Sequence, residues 1–334
     1  MLPLVSMKAP ARHVKRLMAI MMIIVLVGLA ESVPRRTHDM PLRVAVGLWP
    51  GSETFLMARE RGLLPESRFT FLEATWPSAA YRAFDSGAVD AAVLTGEDVG
   101  RLLSSGKGVR VVCFMDESMG ADALVAPASV RTIADLKGKR VGFAPHGPGF
   151  HLFSEALAAS GLTMKDVEAV SLLQPDIPDA LLRGEVSGVI ATEPWIREMV
   201  AGGAHVLMNS SELRIPIFRL LVVKEAAMKD QREELVDLVG AHFAMVTSLQ
   251  SAETDGGIAT VLQRQHMSRE RFLEMMSTIR IFDREENDAF MMDASPAMAD
   301  ILNPVDPGGA FASNGPVFGG AKWRDQSILN EAAP

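Results

Sequence analysis

The stretch LRVAVG at residues 42–47 is short, apolar and rich in β-branched residues, which predicts a buried strand. A similar stretch, RVGFA, follows at residues 140–144, and the Arg-Val pair near the start of each recurs at a spacing of 97 residues. The stretches VDAAVL at 89–94 and VSGVIA at 186–191 begin with the same spacing of 97. We therefore interpret the chain as two similar lobes in tandem.

Helical patterns alternate with these strands. Residues 54–62 and 77–86 have helix-compatible spacing, and Gly62 and Gly87 stand where a glycine commonly ends a helix. Strands connected by helices are typical of βαβ units, so the fold class is α/β with parallel sheets. Three further short apolar stretches complete the set of predicted strands: Arg68–Leu72, Val109–Phe114 and Glu168–Leu172.

Composition excludes several classes of function. The net charge of −8 and pI near 5.5 argue against a nucleic-acid partner, which would require a clustered basic face. Cys113 is the only cysteine, so the chain cannot form an internal disulfide or a multi-cysteine metal site. The seven histidines show no paired metal-binding spacing, and no nucleophile or phosphate-loop motif is present. We predict no metal, no cofactor, no catalytic residues and no enzyme activity.

The N-terminus has the pattern of a secretory signal. Lys8, Arg12, Lys15 and Arg16 precede an apolar run at residues 17–30, LMAIMMIIVLVGLA, which is shorter than a helix that crosses a bilayer. We predict a signal peptide over residues 1–30 with cleavage after Ala30, and hence a periplasmic protein. The alternative is an uncleaved membrane anchor.

The loops that follow the strands hold the candidate ligand site. In open α/β sheets, ligands bind beyond the carboxyl ends of the strands, and three of the four tryptophans lie in such loops. Tryptophan supplies a large contact area for a small molecule, although any one of the three could instead pack as core. The predicted ligand-binding residues are Trp49, Gly51, Ser52, Glu53, Trp76, Thr95, Glu97, Asp98, Asp122, His146, Gly147, Gly149, Glu193 and Trp195.

Four acidic residues in these loops indicate the chemistry of the ligand. Glu53, Glu97, Asp98 and Glu193 would converge on one cleft, where buried carboxylates require a cation or hydrogen-bond donors. Tryptophan faces also attract positive groups. This pattern favours an amine-bearing or nitrogen-heterocyclic ligand over an inorganic anion. The alternative for Glu97 or Asp98 is a helix-capping role.

Several segments, in this order, resemble one known family. They are RVAVGLWPGSETFLMARERGLL at residues 43–64, AFDSGAVDAAVL at 83–94, SVRTIADLKGKRVGFAP at 129–145, ALLRGEVSGVIATEPW at 180–195 and RLLVVKEAA at 219–227. From about Leu42 to about Arg280 the chain resembles the NMT1/THI5-like group, the periplasmic substrate-binding proteins of ABC transporters of the nitrate, sulfonate and taurine type.

The resemblance implies a type II periplasmic-binding fold, with two α/β lobes joined by a two-strand hinge. Lobe one would comprise residues 42–121 and 217–300, and lobe two residues 122–216, with a loosely ordered tail over 301–334. The hinge strands would include residues 122–125 and 218–222, and helices at 231–249 and 268–278 would pack on lobe one. The implied partners are a small-molecule ligand and an ABC permease in the inner membrane, with the binding protein itself a monomer.

Two features separate this chain from its relatives. Pro148 and Gly149 replace Ser or Thr in a loop whose hydroxyl would suit an oxyanion, which argues against sulfonate or nitrate. The cysteine-rich motif of the related thiamine-pyrimidine synthases is absent, so that enzyme activity is the weaker alternative. A further alternative is ligand sensing for a membrane signalling protein, which neighbouring genes would distinguish from transport.

Overall fold

The computed structural model describes residues 40–250, 258–293, 300–302 and 323–332. The predicted signal peptide and its cleavage site at Ala30 lie outside these residues. Within the described part of the chain, no helix combines the length and the apolar character needed to cross a membrane.

Eleven strands are found among the described residues: β1 (Leu42–Gly47), β2 (Phe69–Ala74), β3 (Ala91–Thr95), β4 (Val109–Ser118), β5 (Asp122–Pro127), β6 (Arg140–Phe143), β7 (Glu168–Ser171), β8 (Gly188–Thr192), β9 (Ala204–Asn209), β10 (Phe218–Lys224) and β11 (Ile279–Ile281). They form two sheets. The first has the strand order β11-β4-β10-β3-β1-β2, and the second has the order β7-β6-β8-β5-β9.

The α-helices of the described residues are α1 (Glu53–Glu60), α2 (Pro77–Ser86), α3 (Gly96–Ser104), α4 (Gly149–Ala159), α5 (Ile177–Leu182), α6 (Trp195–Ala201), α7 (Glu225–Asp230), α8 (Arg232–Gln250), α9 (Ala259–Arg264), α10 (Arg269–Met276), α11 (Arg284–Met292) and α12 (Ser327–Glu331). Local sequence explains their ends. Pro77 opens α2, where its missing N–H is not needed, and Gly87 ends it in the left-handed conformation at φ 86°.

The two sheets share the arrangement predicted from the repeat. In the first, β1 lies between β2 and β3 and is parallel to both; in the second, β6 lies between β7 and β8 in the same way. Val44 pairs with Ala91, and Val141 pairs with Gly188, so the paired positions are also 97 residues apart. The internal repeat is therefore confirmed at the level of strand register.

Each sheet also contains an antiparallel strand reached by a crossing of the chain. The chain leaves the first sheet after β4 to enter the second at β5, and it returns after β9 to enter the first at β10. The two crossings contact each other, because the Ser118 and Ser210 hydroxyls are 2.7 Å apart and the Gly120 N–H donates to Ser210 at 2.8 Å. The predicted two-strand hinge corresponds to these crossings.

Aromatic side chains fill the core of the first sheet. Phe55, Phe69, Phe84, Phe114 and Phe282 are fully buried against it. Burial of each such side chain contributes roughly 1.5–3 kcal/mol to stability. The loops at the carboxyl ends of the first sheet's strands are therefore attached to a well-packed core.

The C-terminal residues differ in part from the expected loose tail. Trp323 is buried, and Ile328 and Leu329 of α12 are fully buried on the first sheet's core. Arg284 donates hydrogen bonds to the backbone carbonyls of Leu329 and Ala332, which ties α12 to α11. The glycine and proline content that suggested disorder lies in residues 303–322, outside the described part.

Candidate functional site

A cleft lies at the carboxyl ends of strands from both sheets. Ten of the predicted ligand-binding residues line it: Trp49, Ser52, Trp76, Thr95, Asp98, Asp122, His146, Gly149, Glu193 and Trp195. They come from loops separated by more than 140 positions in sequence, which the two sheets bring to one place.

Four predicted residues do not line this cleft. Glu53 is buried on another face of α1, where it accepts hydrogen bonds from Arg264 and Gln265 of the C-terminal helices. Gly51 is packed behind the lining, since a Cβ there would lie 2.0 Å from Asp116 Oδ2. Gly147 and Glu97 take part in contacts between the two sheets' loops, as described below.

The tryptophans form two groups. The rings of Trp76 and Trp195 have centroids 6.0 Å apart at 36°, one from each lobe. Trp49 packs against the Arg219 guanidinium, whose carbon lies 3.3 Å from the ring centroid, and its indole N–H donates to Asp116 Oδ1 at 3.0 Å. The cleft thus offers aromatic surfaces on more than one side.

Arg219 also lines the cleft, and the sequence analysis did not identify it as a site residue. It lies between Asp116 and Asp122, donating to Asp122 Oδ2 at 3.2 Å and lying 3.5 Å from Asp116 Oδ1. Two carboxylates around one guanidinium leave an excess of negative charge. Burial raises the pKa of Asp116 to about 6, although Arg219 and the Trp49 hydrogen bond oppose this. The sequence does contain an indication that Arg219 has a special role, because an arginine within the apolar strand FRLLVV is unusual.

Two further lining residues extend the set. Gln174, from the loop after β7, is largely buried in the cleft wall and also escaped the sequence analysis. Glu193 follows β8, and its Oε1 accepts from Arg197 Nε at 3.1 Å. Burial raises the pKa of Glu193, and the charge of Arg197 partly offsets that effect.

Several buried oxygens of the lining residues lack a hydrogen-bond partner in the described part of the chain. Ser52 Oγ, Asp122 Oδ1 and Glu193 Oε2 have no hydrogen-bond partner among the described residues. Unpaired buried carboxylate oxygens are costly unless a donor meets them. These oxygens would suit N–H or O–H donors of a ligand, whereas Arg219 Nη1, a buried donor without a hydrogen-bond partner among the described residues, would suit an acceptor.

Loops of the two sheets meet along one edge of the cleft. Asp98, at the start of α3, accepts the Gly147 N–H at 2.9 Å and lies 3.3 Å from the His146 ring nitrogen. The His146 ring also stacks on Tyr81, with centroids 4.3 Å apart. Thr95 caps α3 by accepting the Asp98 N–H, so the capping residue is Thr95 and not Glu97 or Asp98, which both lie in the first turn of the helix. Among the described residues, no group of three or more His, Cys, Asp or Glu is arranged to hold a metal ion.

Comparison with known proteins agrees with this architecture. Residues 53–243, more than half of the chain, match the family model described as NMT1/THI5 like. An aliphatic sulfonates-binding protein of Escherichia coli strain K12 is 28% identical over 185 residues, covering 53% of this chain and 57% of that protein. A thiamine biosynthesis protein of Haemophilus influenzae is 26% identical over 144 residues, covering 42% of this chain and 46% of that protein. The chain thus spans about half the length of these curated relatives.

A solved structure gives the same fold. The ligand-binding component of an ABC-type import system from Staphylococcus aureus superposes with a TM-score of 0.67 at 12% identity, covering 88% of this chain and 99% of that one. This match confirms the predicted type II periplasmic-binding fold with two α/β lobes. With the family model, it establishes the resemblance inferred from the sequence: the chain belongs to the NMT1/THI5-like family.

Proposed function

We propose that this protein is an extracytoplasmic solute-binding protein that captures a small molecule between its lobes and delivers it to an ABC permease in the inner membrane. The observation that carries the proposal is the cleft itself, because aromatic and carboxylate side chains from the loops of both sheets line it. Lobe one would comprise residues 42–121 and 217–300, and lobe two residues 122–216. Family membership supports the same function.

The proposed ligand is amine-bearing or nitrogen-heterocyclic. Asp122 Oδ1 and Glu193 Oε2 are buried acceptors without a partner in the described part of the chain, and a protonated nitrogen would satisfy them. The faces of Trp76 and Trp195 would add about 0.5–2 kcal/mol of attraction for a positive group. A sulfonate is the second candidate, favoured by the name of the Escherichia coli relative.

The proposal assigns no enzyme activity to the chain. Cys113 is fully buried in β4, and burial raises the pKa of its thiol, which suits a structural residue rather than a nucleophile. The thiamine biosynthesis relative keeps a synthase-like enzyme as the alternative from another class. Ligand sensing for a membrane partner is the alternative among binding functions.

Export to the periplasm, as a monomer, completes the proposal. It is supported by the charged and apolar segments of residues 8–30 and by the family. Intact-mass analysis of protein recovered from the periplasm tests it. We expect a chain beginning at Glu31, whereas retention of residues 1–30 would favour an uncleaved anchor.

Thermal unfolding with a panel of amines, pyrimidines, amino acids, sulfonates and nitrate tests the ligand class. A ligand at 100 times its dissociation constant adds about 2.7 kcal/mol to the free energy of unfolding. We expect Glu193→Gln to weaken binding of a nitrogen ligand by about 10- to 100-fold through loss of a charged acceptor. Glu117→Gln, a half-buried carboxylate outside the cleft lining, is the matched control. Stabilisation by sulfonates or nitrate alone would reverse the choice of ligand.

A further inference from the structure

Asp98 occupies an unusual position for a carboxylate in a ligand cleft. It lies near the start of α3, is 1% exposed, and belongs to the cleft lining. Within its own lobe, Oδ2 accepts the Thr95 hydroxyl at 3.2 Å, and Oδ1 accepts from Arg101 Nη1 at 3.3 Å. Both oxygens are therefore already engaged by lobe one.

The same two oxygens also receive groups from lobe two. The Gly147 N–H donates to Oδ2 at 2.9 Å, and His146 Nδ1 lies 3.3 Å from Oδ1. These residues immediately precede α4, and the neighbouring carboxyl of Glu97 accepts the His151 N–H in the first turn of that helix at 3.1 Å. The amino end of α4 is thus occupied by side chains of this chain.

The groups gathered on Asp98 are those that proteins use to bind oxyanions. A guanidinium, an imidazole N–H and a loop backbone N–H such as that of Gly147 can each donate to a negatively charged group. Arg101 contacts both Asp98 and Glu97 and also donates to the Pro145 carbonyl at 2.5 Å. A sulfonate or nitrate entering here would have to displace a buried carboxylate of like charge, which is strongly unfavourable.

Three oxygens of other lining residues have the opposite character. Ser52 Oγ, Asp122 Oδ1 and Glu193 Oε2 are more than nine-tenths buried, and each lacks a hydrogen-bond partner within the described residues. All three can accept a hydrogen bond. The cleft therefore combines donors held by Asp98 along the α4 edge with unpartnered acceptors elsewhere in the described part of the chain, beside one unpartnered donor, Nη1 of Arg219, which lies 3.5 Å from Asp116 Oδ1.

We propose that Asp98 is a specificity-determining residue, an internal anion that holds the oxyanion-binding groups of both lobes and so excludes anionic ligands from the cleft. The inference rests on the proposed solute-binding function and explains its preference for nitrogen-bearing ligands. It also makes Asp98 a bridge between the lobes, since its partners come from α3 and from the loop before α4.

Substitution of Asp98 by alanine should create an anion site where none was open. The probe is sodium methanesulfonate, compared with sodium chloride at the same concentration in thermal unfolding. For Asp98→Ala, methanesulfonate at ten times the dissociation constant from the titration should raise the folded-to-unfolded ratio about 11-fold. For the unaltered protein the ratio should change by less than about twofold.

Asp90→Ala is the matched control. Asp90 is buried and pairs with Arg43 Nε at 2.9 Å, so its removal also releases an arginine, but it does not line the cleft. Equal stabilisation of Asp90→Ala and Asp98→Ala by methanesulfonate would overturn the proposal, because any released arginine would then suffice. No response of Asp98→Ala would also overturn it.

The experiment remains decisive if Asp98→Ala folds poorly. Asp98→Ser vacates the same space and can keep the Thr95 contact, and the same outcomes apply to it. Specific stabilisation of the unaltered protein by methanesulfonate contradicts the proposal without any variant. The two proposals fail separately: a nitrogen panel without effect counts against the proposed ligand class, whereas the methanesulfonate responses test Asp98 alone.

Discussion

Replacement of His242 by glutamine should change how stability depends on pH. His242 is fully buried in α8, with its ring 5.7 Å from Phe55 and 5.1 Å from Phe243. The Thr54 hydroxyl donates to the Gly51 carbonyl, which assigns the imidazole proton to Nδ1, donating to Thr54 Oγ1 at 2.9 Å. Nε2 has no hydrogen-bond partner among the described residues, so a proton added there would be buried and unpaired.

The magnitude follows from the pKa of this ring. Burial lowers the pKa of His242 from 6.5 to about 3, so the stability it contributes is complete above pH 6.5 and is lost as the pH falls towards 3. At pH 4.5, two pH units below the unfolded value, the loss is about 2.7 kcal/mol. Buried acids such as Asp116 act in the opposite direction, but they are common to both proteins and cancel in the comparison.

Urea unfolding followed by tryptophan fluorescence at pH 8 and pH 4.5 measures the effect. Between these two pH values, the free energy of unfolding of the unaltered protein should fall by about 2.7 kcal/mol more than that of His242→Gln. His205→Gln, on the half-buried strand β9, controls for removal of an imidazole elsewhere. A difference below about 0.5 kcal/mol between the two proteins would refute a buried neutral His242.

Three further substitutions test packing around the site by urea unfolding. Gly51→Ala should cost about 1–3 kcal/mol, since its Cβ would lie 2.0 Å from Asp116 Oδ2; an unchanged midpoint would show that Asp116 moves freely. Arg264→Met should cost about 3–5 kcal/mol because it removes the charged partner of the fully buried Glu53 carboxylate and leaves it the neutral Gln265 amide; a smaller loss on adding Glu53→Gln confirms that cause. Asn287→Ala should cost about 1–3 kcal/mol, as its buried amide bonds both backbone groups of Phe114; a loss under about 0.5 kcal/mol would contradict this.

Local signals in the sequence predict much of the fold. The helix at 77–86 has the predicted ends because a proline and a glycine mark them. The strands β9 and β11 were not predicted, since they are short and their pairing depends on β5 and β4, far away in the chain. The ends of other strands differ from the predicted ends by one to four residues; β4, for example, continues to Ser118, beyond the predicted Phe114.

The site was harder to predict than the fold, for geometric reasons. Ser52 and Glu53 are neighbours, but Ser52 ends the turn before α1 and lines the cleft, whereas Glu53 begins α1 and is buried away from the cleft. The partner of Glu53 is Arg264, 211 positions later, which no local pattern can identify. Arg219 was overlooked because its strand otherwise reads as core.

Intrinsic tryptophan fluorescence tests the central claim most directly, because Trp49, Trp76 and Trp195 line the cleft while Trp323 is buried elsewhere. Benzylamine and phenylmethanesulfonate form a matched pair, with the same ring and methylene but opposite charge. A saturable change on titration with benzylamine, weakened in Glu193→Gln and absent with phenylmethanesulfonate, is the predicted result. Saturation by phenylmethanesulfonate with no response to benzylamine would contradict a cleft that selects nitrogen-bearing solutes.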